Sequence, residues 1–220
     1  MRCKERPILF TGSMVRALLE GRKTQTRRVV KPQPERDPSA QYGVWFPATT
    51  SKRKLHYANE HHFRKGMPHD WCPYGQPGDR LWVREAHRFE ERGVMSVLHC
   101  VYAADGHAAD MFDAPWVPTL NRNRPPMFLP RWASRITLEL TGMRVERVRD
   151  ISETDAVAEG LEFRGGWWSG SNHSVKGTPK VFPNARDAFF DLFYNLRKRA
   201  DPNENPWVWV LEFKRVEAGK

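Results

Sequence analysis

Cysteine is scarce in this sequence: three in 220 residues, Cys3, Cys72 and Cys100, far apart along the chain. That excludes a disulfide-stapled framework and suits a reducing compartment. Long apolar runs are also missing. Nothing approaches the roughly 18 residues that a membrane span needs, and Ile8-Leu9-Phe10 is too short for a signal-peptide core. These absences predict a soluble, cytoplasmic protein without a membrane partner. There is no internal repeat and no alternating strand–helix–strand rhythm, which sets aside solenoids and parallel doubly wound sheets.

What is present narrows the reading. A hydrophobic fraction of 40% with nine tryptophans excludes a mainly disordered chain. The length predicts a single domain over residues 1–220 that carries insertions. The formal charge is +10, and it is uneven: residues 1–66 hold 15 basic and 5 acidic side chains, while the remainder holds 21 of each. A surplus confined to one segment makes a directed field and predicts an anionic partner, with nucleic acid or a nucleotide the obvious class.

The spacing of Met14, Ala17 and Leu18 predicts a helix over Ser13 to Glu20, with Ser13 as its cap and Gly21 to end it. Strands are predicted over Arg80 to Glu85, Val94 to Ala103 and Trp207 to Lys214. Trp132 to Val148 reads as one long strand or a hairpin broken near Thr141-Gly142. A short helix opens at Ser152 and ends near Glu159-Gly160. A longer one opens at Asn184, with Phe189, Leu192, Phe193 and Leu196 as a core stripe. Residues 32–74 and 104–130 lack sustained periodicity and are read as insertions. The pattern predicts an α+β fold: a small, mostly antiparallel barrel or curved sheet with flanking helices.

The segment that most needs a reason is Gly21-Arg22-Lys23-Thr24-Gln25-Thr26-Arg27-Arg28. Four clustered cations suit either a solvated turn or an anion-binding groove. A threonine near a lysine also suits a nucleophile with its base, because neighbouring cations push a lysine pKa down. In a straight strand Lys23 and Thr26 point to opposite faces, so that pairing requires a bend between them. His61, His62 and His69 with Cys72 have loosely metal-like spacing but match no zinc pattern, so no metal is expected. Trp167-Trp168 is either a lid or stacking platform, or a pair pinning its loop to the core.

The chain resembles the ASCH domain family, a branch of the PUA-like fold. The likeness rests on Gly21 to Arg28, on Pro77-Gly78-Asp79-Arg80-Leu81-Trp82-Val83-Arg84-Glu85, on Ile151 to Gly160, and on the closing Trp209-Val210-Leu211-Glu212-Phe213. It is most similar to longer phage-type and prophage-type members. The resemblance implies an amidohydrolase that removes acyl groups from the exocyclic N4 amine of cytidine-type nucleosides, with no metal or organic cofactor. It places the catalytic roles on Lys23, Thr26 and Glu159. Thr26 would be the nucleophile, Lys23 its base, and Glu159 the group that orients Lys23 or shuttles the proton. In the competing mechanism water attacks with Glu159 as base and Thr26 positions it. Arg28, Arg22, Thr24 and Glu85 are the substrate-binding candidates, with Arg28 or backbone N–H groups near Gly21 available to the oxyanion. An RNA-binding module and a ribonuclease are the competing functions. The binding module is favoured by Lys52-Arg53-Lys54 and Arg64-Lys65, which a nucleoside does not require.

Overall fold

A computed structural model describes residues 3–36, 44–47, 54–57, 72–92, 97–111, 120–170, 174–175, 178–197, 201 and 203–216. The chain opens with strand β1 (Glu5–Leu9), helix α1 (Gly12–Leu19) and strand β2 (Gln25–Val29). Short strands β3 (Glu35–Arg36), β4 (Val44–Pro47) and β5 (Lys54–Tyr57) pair antiparallel as a separate small sheet inside the first expected insertion. There follow β6 (Arg80–Arg84), β7 (His87–Arg92), β8 (Val97–Tyr102) and β9 (Ala108–Asp110), then the long β10 (Thr137–Arg147) and helix α2 (Glu153–Ala158). Two small hairpins, β11 (Glu162–Arg164) with β12 (Trp167–Ser169) and β13 (Ser174–Val175) with β14 (Thr178–Pro179), precede helix α3 (Ala185–Leu196) and strand β15 (Trp207–Val216).

The main sheet has the order β1-β6-β10-β15-β2. Only β1 and β6 run parallel; every other pair in it is antiparallel. The fold is therefore α+β and mostly sheet. Among the described residues no barrel closes, since β1 and β2 remain the two edges. No described helix is long and apolar enough to cross a membrane.

β15 explains why the layers stack as they do. Trp207, Trp209, Leu211 and Phe213 alternate onto one face and pack with Ile8, Phe10, Val15, Leu18 and Leu138. The intervening Val208 and Val210 face a second cluster built from Ala156 of α2 and from Phe189, Leu192 and Phe193 of α3. A strand buried on both faces needs apolar residues at every position, and this one has them. α1 thus covers one face of the sheet, and α2 with α3 cover the other.

Local details correct several expectations. Thr11, not Ser13, holds the cap position of α1, because Gly12 joins the helix and draws Ser13 into its buried first turn. β10 is one strand rather than a hairpin; its irregularity is a register shift between Leu140 and Gly142. A Cβ at Gly142 would stand 2.5 Å from a Glu212 carboxylate oxygen, so a larger residue here would displace the end of that side chain. β7 was not anticipated: its inward His87 and Phe89 alternate with Arg88 and Glu90, and the exposed Glu91 stands where the next inward apolar residue would fall, which hides the period. Leu196, expected in the core stripe, is 42% exposed at the end of α3.

Candidate functional site

Two helix ends converge on the Gly21 to Arg28 segment. α1 stops where Gly21 takes a positive φ of 74°, and α2 stops where Gly160 takes one of 90°. Between them the backbones meet. Lys23 pairs antiparallel with Glu159, the Lys23 N–H donates to the Ala17 carbonyl (3.0 Å), and the Thr24 N–H donates to the Ala158 carbonyl (2.9 Å). Arg22 ties the same turns together through its guanidinium, which donates to the Gly160 carbonyl at 2.8 Å and to the Leu161 carbonyl at 3.2 Å. The regular strand begins only at Gln25, so Lys23 stands before a break in the chain rather than on the pleat of β2.

The side chains follow from this frame. Lys23 Nζ is fully enclosed, donating to Glu159 Oε2 at 2.8 Å and to the Glu159 carbonyl at 2.7 Å. Burial pushes the Lys23 pKa down and the Glu159 carboxylate pulls it back up, with burial the larger influence. The other carboxylate oxygen of Glu159 accepts from Arg27 Nη1 at 3.3 Å. Arg27 is itself enclosed and donates to Glu146 at 3.0 Å through Nε and to Asp155 at 2.8 Å through Nη2. Arg144 closes the network on Glu146, Asp155 and Glu212. Removing charges from water is tolerable only when each finds partners of this kind. Most of the positive charge of Lys23 and Arg27 is therefore neutralised internally.

Beside this network lies a cavity of about 390 Å³. Thr26, Arg27, Arg28 and Val29 of β2, Glu159, Tyr74 and Lys31 form its polar and central lining. Phe189, Leu192, Phe193 and Leu196 of α3 give it an apolar wall, and Arg197 stands at its end. Its size and mixed lining suit a small molecule with one flat apolar part. Arg28 donates to the Leu9 carbonyl at 2.6 Å and lies 5.1 Å from the centroid of the Phe10 ring. Burial lowers the Arg28 pKa from its ordinary value, opposed by Tyr74 and Glu159; a guanidinium nonetheless keeps its charge.

Of the residues singled out in the sequence, Thr26, Arg28 and Glu159 line this one cavity, and Lys23 stands directly behind Glu159. Thr24 is exposed and Arg22 secures the turn; neither is among the lining residues. Glu85 lies elsewhere. It is buried in a bidentate pair with Arg135 (2.9 Å to each oxygen), and Arg135 also holds Asp105. Sequence reasoning missed Tyr74, Lys31 and Arg197, and it read the α3 stripe as packing alone. The run Arg197-Lys198-Arg199 directly after that stripe was the available signal for a cationic end to an apolar wall.

His61, His62 and His69 lie outside the described residues, and Cys72 is a buried thiol that burial holds up at about 11. Among the described residues no group of three or more His, Cys, Asp or Glu side chains is placed to hold a metal ion. Trp168 packs its ring against Phe163 (4.7 Å between centroids) and pairs in the backbone with Phe182, so it anchors its hairpin, whereas Trp167 is exposed. Comparison with protein-family models, with curated proteins and with solved structures finds no match to this chain.

Proposed function

We propose that the protein is an amidohydrolase of the ASCH type, with a PUA-like core, that removes an acyl group from the exocyclic N4 amine of a cytidine-type substrate. The observation that carries this reading is the junction of Lys23 Nζ with Glu159 Oε2 at 2.8 Å behind a cavity lined by both Glu159 and Thr26. A carboxylate and a hydroxyl facing one small cavity supply a proton carrier and a nucleophile. The buried lysine behind them fixes the carboxylate.

In this mechanism the Thr26 hydroxyl attacks the acyl carbon and passes its proton to Glu159. Glu159 returns the proton to N4, cytidine leaves, and water then hydrolyses the Thr26 ester to release the carboxylate. Lys23 acts through Glu159 as a positioning residue, because the cavity lining includes Glu159 but not Lys23. Its two donated hydrogen bonds match the two N–H groups of a neutral amine, so a lowered pKa does not break the contact. Phe189 and Phe193 supply the wall for the base. Direct attack by water with Glu159 as base uses the same groups, and no metal or organic cofactor enters either route.

The test follows N4-acetylcytidine to cytidine by its ultraviolet shift. Wild type turns it over, and Glu159→Gln lowers kcat by at least about 100-fold, the usual contribution of a positioned acid–base group. Thr26→Val separates the two routes: loss comparable to Glu159→Gln supports the ester intermediate, and loss under about tenfold supports water attack. An inert wild type sinks the hydrolase reading.

The second reading, an RNA-binding module or ribonuclease using the same basic cleft, is favoured by the cations Arg28, Lys31 and Arg197 along the cavity. The basic runs at 52–54 and 64–65 fall mainly outside the described residues, with Lys54 alone in strand β5. Salt-dependent RNA binding by a protein inert on N4-acetylcytidine would establish it.

A further inference from the structure

Among the described residues, three buried side-chain nitrogens have no hydrogen-bond partner: Arg28 Nε, His87 Nε2 and Arg197 Nη1. Two of the three belong to residues that line the same 390 Å³ cavity. An enclosed N–H donor without an acceptor is unfavourable, and native proteins rarely keep one without a purpose. Although these two nitrogens are enclosed, the guanidinium groups that carry them line the cavity, and a cationic lining suits an acceptor-rich ligand. Both donors are guanidinium groups, which select planar or tetrahedral anions through several N–H groups at once.

The surrounding charge points the same way. The Glu159 carboxylate at the cavity is paired directly with Lys23 and Arg27 and acts on Arg28 only without a direct contact, so the lining keeps a positive excess. Arg28, Lys31 and Arg197 then form a cationic arc, in which Arg197 also meets Glu204 at 3.6 Å. Opposite lies the apolar wall of Phe189, Leu192 and Phe193. A neutral nucleoside would use the wall and leave the cations unanswered.

We infer that the cavity takes a nucleoside monophosphate, its base against the α3 wall and its phosphate on Arg28, Arg197 and Lys31. The inference rests on the hydrolase reading for its chemistry: the preferred substrate is then an N4-acylated cytidine 5′-monophosphate rather than the free nucleoside. The anion site itself does not depend on catalysis, and this keeps the two claims separable.

The experiment has two arms. In the first, kcat/KM is compared for N4-acetylcytidine and its 5′-monophosphate. The phosphorylated substrate is favoured by at least about tenfold, the lower end expected from hydrogen bonds to a charged group. In the second, cytidine and cytidine 5′-monophosphate are titrated calorimetrically against wild type, Arg28→Gln and Arg197→Gln. The monophosphate binds wild type at least about tenfold more tightly than cytidine, and each variant narrows that gap. Arg197 sits at the half-exposed end of α3, so Arg197→Gln tests the site even if Arg28→Gln fails to fold. Equal affinities for the two titrants, or a gap unchanged in Arg197→Gln, overturns the inference. Equal kcat/KM overturns the substrate preference while leaving the hydrolase reading intact. No turnover of either substrate, with a variant-sensitive gap in the second arm, overturns the hydrolase reading and keeps the phosphate site. A phosphodiester-linked oligonucleotide that displaces the monophosphate at lower concentration overturns the assignment to a small molecule.

Discussion

Lys23→Met tests the buried ion pair without opening a large cavity, since methionine keeps most of the aliphatic stem and removes the Nζ that lies 5.6 Å from the Phe10 ring centroid. Two consequences of opposite sense follow. Glu159 loses its closer cation and keeps only the 3.3 Å contact with Arg27, and a buried carboxylate with a missing partner destabilises the fold by about 3–5 kcal/mol. Because Arg27 remains, the loss is smaller, about 2–4 kcal/mol. Removing the acid as well, in Lys23→Met/Glu159→Gln, recovers part of this. The double variant loses about 1–3 kcal/mol less than the two single losses added together. Denaturant unfolding followed by tryptophan fluorescence reads these values, since Trp207 and Trp209 are both buried in the core.

The same pair sets a pH dependence. Burial lowers the folded pKa of Lys23, so between that value and the unfolded value near ~10.4 the unfolded state binds more proton. Stability contributed by Lys23 therefore rises with pH across that window and is lost as pH falls through the folded pKa. The stability difference between wild type and Lys23→Met should shift in favour of wild type on going toward alkaline pH, by at most about 1.4 kcal/mol per unit. Additive single losses, or a shift in favour of Lys23→Met with rising pH, would refute the coupling described here.

Gly160→Ala should destabilise the protein by about 2–4 kcal/mol and lower turnover together, because a Cβ at its φ of 90° would stand 2.8 Å from the Cβ atoms of both Ala17 and Lys23; denaturant midpoints and the ultraviolet assay measure the two effects. Ser152→Ala removes the oxygen that accepts the Asp155 N–H at 3.1 Å, and should lower stability by about 1 kcal/mol in the same unfolding measurement. With Cys72 and Cys100 buried and both thiols raised to about 11, a thiol reagent at pH 8 should label Cys3 alone in the native protein and all three cysteines after denaturation.

The residues most legible in the sequence were those whose local chemistry agrees with their place in the fold. Gly21 and Gly160 announce helix ends, Ser152 and Asn184 cap α2 and α3, and the unbroken apolar run of β15 announces a strand covered on both sides. The proximity of Lys23 and Glu159 was legible only through the family resemblance, since nothing local links a turn after α1 to the end of α2. Arg27 was hidden for a different reason. In the sequence it is one cation in a basic run, and only the register of β2 against β15, with Glu146 on the neighbouring β10, turns it inward to three carboxylates. The α3 stripe was correctly taken as core at Phe189, Leu192 and Phe193, but periodicity cannot tell a side chain that fills space from one that bounds it.

The place of β15 in the sheet has a consequence for the order of events during synthesis. It sits between β10 and β2, and Thr26 of β2 pairs with its Leu211. β2 thus finds its sheet neighbour only once β15 has been made, and the Phe213 N–H that bonds the Thr24 carbonyl arrives later still. Until then the arginines of β2 stay in water, where their charge is cheap to keep. Such a non-local pairing is slow to close, and the nascent chain has no completed β2 edge to offer before β15 has been made.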